Sequence, residues 1–344
     1  MLLLLLVACA PDPIVHPDRL SAWAEFAAVD DLPAYLERAG ALELNVNLAL
    51  LEGRHDREYL ASACAEAEKR EVALRLWPLL AEEDGYWANQ ANVEAFTDWT
   101  MWLAEVARRD CPRAEGFQVD LELPIDRTRT LLELIGGGGS VAELISFLVD
   151  GRDPEAFEEA RAGYADLVAE LREDGYLVSA STVAMVADDF ADGDQSIAQA
   201  LWTPVEGIDW DVVSFQVYRS TFDCHYAGAL ADPTQRFEPG LVSSYAASIR
   251  ARFPESGGVG LGTTGSGMGT EEPLAGPEEL QADLAAALAA GIPLGQLDVF
   301  SLDGLVDRED AAQWIAEPEP AEPEPDPATE ELRALLAALD AAVE

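Results

Sequence analysis

The sequence predicts a (β/α)8 barrel, on three observations. Eight apolar, strand-like runs alternate with helical patterns along most of the 344 residues, the order that builds a parallel sheet. At 49% hydrophobic the chain can bury a large core, and its length accommodates a barrel of about 250 residues plus tails. No Gly-x-Gly-x-x-Gly turn follows the first strand, which argues against an open dinucleotide-binding sheet.

The chain begins with an apolar run, Met1 to Ala8, ending at Cys9. Leu6-Val7-Ala8-Cys9 resembles the lipobox of bacterial lipoproteins, which implies a signal peptide over 1–8 and lipidation of Cys9. The usual basic residues before the apolar run are missing. The run is too short to span a bilayer but suits a signal segment. The expectation is an exported protein held at the cell envelope by its lipid alone, with a polar leader over 9–18.

The barrel is expected over 19–316. Its strands fall at 20–28, 41–51, 72–80, 116–123, 176–183, 211–219, 258–264 and 296–302. Helical patterns lie at 31–39, 56–70, 91–109, 153–173, 194–202, 241–253, 277–290 and 307–315. Start signals such as Asp30-Asp31 before Leu32-Pro33, and Gly276-Pro277-Glu278-Glu279, support several of them. Gly136 to Gly139 reads as a flexible connection after the fourth strand. The Asp-rich stretch 187–195 reads as a loop after the fifth, without EF-hand spacing. Past Trp314, a Glu/Pro linker (317–328) is extended and semi-rigid. A short Ala/Leu helix (329–344) follows, free to dock, to meet a partner or to stay detached.

The net charge is −44, from 65 acids against 21 bases. Such a field repels nucleic acid and anionic membrane surfaces. It reads first as a solvated acidic surface, with selection of a cationic substrate as the alternative. Of Cys64, Cys111 and Cys224, at most one pair can bond internally. Cys64 and Cys111, near the ends of successive helices, could meet. His16, His55 and His225 lack metal-ligand spacing and no Gly-x-Ser-x-Gly is present, so neither metal, cofactor nor serine nucleophile is expected.

In a (β/α)8 barrel the site lies at the C-terminal ends of the strands. The fourth strand, Glu115-Gly116-Phe117-Gln118-Val119-Asp120-Leu121-Glu122, ends in two acids on one face, roughly 6–7 Å apart along the strand. Neighbouring carboxylates raise each other's pKa, and split pKa values are what glycosidic cleavage needs. The other strand ends and the loops beyond them supply Trp77, Tyr86 and Trp87, then Gln216, Tyr218 and Arg219, then Phe300 and Asp303. Aromatic faces for stacking, with amides and acids for hydroxyls, suit a carbohydrate.

These residues resemble the family-18 glycoside hydrolases, the chitinase-like barrels. That family's fourth strand reads Asp-Gly-x-Asp-x-Asp-x-Glu, and residues 115–122 follow its spacing. Its sixth strand reads Asp-x-x-x-x-Met-x-Tyr-Asp, matched at Asp211 and Tyr218. The resemblance implies Glu122 as general acid, Asp120 as the group steadying the substrate's acetamido, and Tyr218 as its hydrogen-bond donor. Substrate assistance would replace an enzymic nucleophile. In keeping with it, the seventh strand ends in Thr263-Thr264-Gly265, and Glu271 and Glu272 come late for a nucleophile. Gln118, Arg219 and Phe300 depart from the family pattern. They suit a divergent hydrolase or a barrel that binds carbohydrate or protein without cutting. Arg219 could also pair with Asp120 or Glu122.

Overall fold

The computed structural model describes residues 12–138, 140–191, 193–265 and 272–343. Eight parallel strands close in sequence order into one barrel: β1 (Ser21–Ala24), β2 (Asn45–Leu51), β3 (Leu74–Leu79), β4 (Gly116–Leu121), β5 (Leu177–Val183), β6 (Val213–Gln216), β7 (Gly257–Gly262) and β8 (Leu297–Phe300). The ring is completed where Ser21 of β1 pairs with Asp298 of β8. Every expected strand is present.

Alternation along the strands builds two environments. Val46, Leu48, Phe117, Val119, Val213, Phe215, Val259 and Leu261 join the main core against the helices. The alternate residues enter the barrel, where Trp23, Trp77 and Leu79 form a second apolar cluster among polar and small side chains. Arg75 bonds Glu115 at 2.6 Å, and Ser214 donates to Asp298 at 2.5 Å. Four of the six residues of β7 are glycine, and the inner face leaves little room: a Cβ on Gly260 would lie 2.9 Å from Asp298 Oδ1 and 3.2 Å from the Tyr218 ring.

The outer layer contains α1 (Leu32–Ala41), α2 (Arg57–Lys69), α3 (Val93–Asp110), α4 (Ile125–Glu133), α5 (Val141–Gly151), α6 (Pro154–Glu173), α7 (Ser196–Ala200), the single turn α8 (Arg219–Thr221), α9 (Gly240–Arg252), α10 (Pro277–Ala289) and α11 (Ala311–Trp314). Asp56 caps α2 by accepting from the N–H groups of Glu58 and Tyr59. Cys64 in α2 and Cys111 after α3 are joined by a disulfide, with Cα atoms 5.3 Å apart.

Three expectations change. The connection after β4 is helical: α4 runs into a π-turn over Leu134–Gly138, and α5 follows. Within the Asp-rich stretch a 3-10 helix covers Ala184–Ala191, and Asp189 accepts from the N–H groups of Ile197 and Ala198 at the start of α7. The helix expected over 307–315 shrinks to the four residues of α11.

The C-terminal helix α12 (Pro327–Val343) docks on the barrel. Leu332, Leu336 and Leu339 are buried, and Arg333 bonds Asp188 at 2.8 Å while lying 4.4 Å over the Tyr245 ring. Asp189, Asp194 and Asp340 bring carboxylate oxygens within 4.8 Å of one another at this junction. No helix among the described residues is long and apolar enough to cross a membrane. Cys9, with its expected lipid, and Glu271 lie outside the described residues.

Candidate active site at the barrel mouth

The end of β4 is held by the loop that follows β3. Ala88 N–H donates to the carbonyl of Asp120 at 2.9 Å, and Glu122 N–H donates to the carbonyl of Ala88 at 3.0 Å. Two more backbone bonds thus fix the residues carrying the acid pair. Gln216, at the end of β6, reaches across the interior and donates from Nε2 to Asp120 Oδ1 at 3.0 Å and to Glu122 Oε1 at 2.7 Å. Asp120 also shares a hydrogen bond with Glu122.

Burial raises the Asp120 pKa well above its ordinary value, and the charges of Glu122 and Glu25 and the bond to Glu122 add to it. Beyond burial, two carboxylates this close resist being ionised together. Burial also raises Tyr218, with Asp298, Asp120 and Glu122 contributing.

The pair opens on a cavity of about 780 Å³. Trp23, Trp77, Tyr86, Trp87, Tyr218 and Phe300 supply its aromatic walls. Trp23 and Trp77 meet edge to face at 4.6 Å, and Tyr218 lies 5.6 Å from Phe300. Tyr86 sits at φ +67°, a left-handed conformation unusual for a non-glycine residue. From there it donates to Glu25 Oε1 at 2.7 Å.

The structure therefore brings together Asp120, Glu122, Trp77, Tyr86, Trp87, Gln216, Tyr218 and Phe300. It does not bring in Arg219 or Asp303. Arg219 follows inward-facing Tyr218 and so faces outward, where Nε bonds Asp283 at 2.9 Å and Nη2 donates to the Glu279 carbonyl. Asp303 accepts from the Tyr35 hydroxyl at 2.8 Å and from the backbone N–H groups of Glu25 and Phe26. It anchors the chain leaving β1.

Two further acids lie close enough to raise the Asp120 pKa. Glu25 lines the cavity just past β1, and burial lifts its pKa to about 7 against the lowering effect of Tyr86. Asp298 lies deeper on β8, accepting from Trp23 Nε1 and Ser214 Oγ, with its pKa raised by burial. The period of two that singled out Asp120 and Glu122 also marks these: Glu25 shares a face with Trp23, and Asp298 shares one with Phe300.

No protein-family model and no curated protein sequence matches this chain. Solved structures do. The fold is that of the (β/α)8 barrels. Similar structures include the PgaB (BpsB) glycoside hydrolase domain from Bordetella bronchiseptica, at 12% identity and a TM-score of 0.50, covering 87% of this chain and 98% of that one. A β-galactosidase from the psychrophilic Marinomonas ef1 aligns at 10% identity and a TM-score of 0.50, over 92% of this chain and 59% of its own. A GH113 β-1,4-mannanase aligns at 15% identity and a TM-score of 0.47, over 94% and 98%.

Proposed function

We propose that this chain is a barrel of the glycoside hydrolase type that cleaves a glycosidic bond in a poly- or oligosaccharide, with Glu122 as general acid. The observation that carries the reading is the hydrogen-bonded Asp120–Glu122 pair, bridged by Gln216 and opening on an aromatic-lined cavity. Such a pair keeps one proton at a pH where a lone carboxyl has lost it. Glu122, 8% exposed against 3% for Asp120, is the outer member and presents that proton to the leaving oxygen. Two barrels of like fold carry glycoside hydrolase names, the PgaB domain and the β-galactosidase.

Directly bonded acids are too close to straddle a scissile bond, which takes about 5–5.5 Å in retaining enzymes or about 6.5–9.5 Å in inverting ones. The second participant must come from elsewhere. The family-18 resemblance assigns it to the substrate's own acetamido group, steadied by Asp120 and Tyr218. The reading of a barrel that only binds draws on Gln118, Arg219 and Phe300; of these, Arg219 pairs with Asp283 rather than with the acids. Lipid-anchored export belongs to the same proposal, supported by the sequence around Cys9 and by the Cys64–Cys111 disulfide.

The test is release of reducing ends from a panel of N-acetylated and unacetylated glycans. Glu122→Gln should lower the rate by about 10²–10⁴-fold with an unchanged melting temperature. Turnover at the parental rate in that variant would remove Glu122 from the mechanism.

A further inference from the structure

The cavity does not end at the acids. Past Leu123 and Ile125 it continues into a chamber walled by Leu131, Leu132, Met185, Leu201, Phe222 and Tyr226. These come from α4, the 3-10 helix after β5, the end of α7 and the turn after β6. The Tyr226 hydroxyl is turned to the Met185 sulfur at 3.2 Å. The polar neighbours Arg129 and Glu133 are exposed and mark the outer rim, and His225 borders the chamber half-buried. The π-turn after α4 and the 3-10 turn Ala227–Ala229 approach closely here: a Cβ on Gly228 would lie 3.3 Å from the Gly136 carbonyl oxygen.

The two halves of the cavity offer different chemistry. The mouth presents carboxylates, an amide, a phenol and aromatic faces, as a sugar requires. The chamber presents mainly aliphatic and aromatic carbon, with Thr128, Thr221 and Cys224 in the same lining. A sugar ring placed there would lose its hydrogen bonds to water with few replacements, whereas an apolar group would gain by leaving water. Chamber and mouth belong to one cavity, whose lining includes Glu122, Leu123 and Ile125. At about 780 Å³ the whole space falls in the range of sites for drug-sized ligands, roughly 300–1,000 Å³.

We propose that the chamber is a leaving-group subsite for an apolar aglycone, an alkyl or aryl chain, so that the substrate is an amphiphilic glycoside. The sugar's position over Asp120 and Glu122 rests on the hydrolase reading; the chamber's preference for apolar ligands does not.

The experiment is a fluorescence titration of the full chain with N-phenyl-1-naphthylamine, a neutral apolar probe, followed by displacement with n-alkanols from butanol to octanol. One saturable site is expected, with each added methylene tightening the alkanol by about 3–4-fold. Leu132→Asp at the half-buried wall, and Met185→Gln as a second variant, should each weaken the probe at least tenfold while circular dichroism shows a folded chain. Absence of saturable binding in the wild-type chain, no chain-length dependence, or unaltered affinity in both folded variants overturns the proposal. Because the readout is binding, missing hydrolysis would remove the role of Glu122 and leave the chamber. Measurable hydrolysis without probe binding would remove only the chamber.

Discussion

The two ends of the barrel interior hold their acids differently. At the floor, Glu115 is 2% exposed and takes a hydrogen bond of 2.6 Å from the guanidinium of Arg75, itself 8% exposed. At the mouth, Glu25 accepts from the Tyr86 phenol, and Asp120 and Glu122 from the Gln216 amide; between the two ends, Asp298 accepts from the Ser214 hydroxyl and the Trp23 indole and also feels the Arg75 charge. A guanidinium holds a carboxylate by charge as well as by hydrogen bond. A neutral donor orients it while burial and neighbouring acids still drive it to keep a proton. The same eight strands thus hold one acid by charge at the floor and others by neutral donors and burial near the mouth.

The largest change is expected from breaking the floor. Arg75→Met leaves Glu115 buried without its partner and should cost about 3–5 kcal/mol of stability, read as a lower midpoint in denaturant. A change under 1 kcal/mol would mean that water reaches the floor and that the two ends are not distinct.

Gln216→Leu strikes the mouth next. It removes the donor common to Asp120 and Glu122 and should lower turnover by about 10- to 100-fold, with about 1–3 kcal/mol lost from stability. A rate equal to wild type would show that the acids are oriented without the amide.

The smallest effect is expected at Tyr86. Folding raises Glu25 from 4.5 to about 7. The folded chain therefore holds a proton that the unfolded chain has released, and stability from this group falls as pH climbs from about 4.5 to about 7. The Tyr86 hydrogen bond lowers that pKa, so Tyr86→Phe should extend the decline to higher pH, at a cost of about 1 kcal/mol at neutral pH. Melting temperatures between pH 4 and 8 would show it; parallel curves for the two proteins would remove Glu25 from the account.

Much of this architecture was legible from the chain. Eight alternating runs gave eight strands, and the period of two placed Asp120 and Glu122 together. The same period carried two signals that sequence reading left unused, Glu25 beside Trp23 and Asp298 beside Phe300. Each sits in a short run where a single acid between apolar residues looks like surface. Arg219 and Asp303 were drawn into the site by proximity in sequence. The first faces away because it follows an inward residue, and the second lies in a 3-10 turn beyond the strand. The helices α4 and α5 were hidden because glycines at 136–139 interrupt one continuous helical pattern. The docking of α12 rests on long-range contacts to Asp188 and Tyr245, which no local pattern announces.

The most direct measurement is a carboxyl-carbon NMR titration of Asp120 in the wild-type chain and in Glu122→Gln. Asp120 should stay protonated well above the ordinary aspartate range in the wild type, and its pKa should drop in the variant, where the neighbouring charge is gone. An Asp120 that titrates near 4 in both proteins would contradict the proton kept by the pair, and with it the account of the mouth as a proton-donating site.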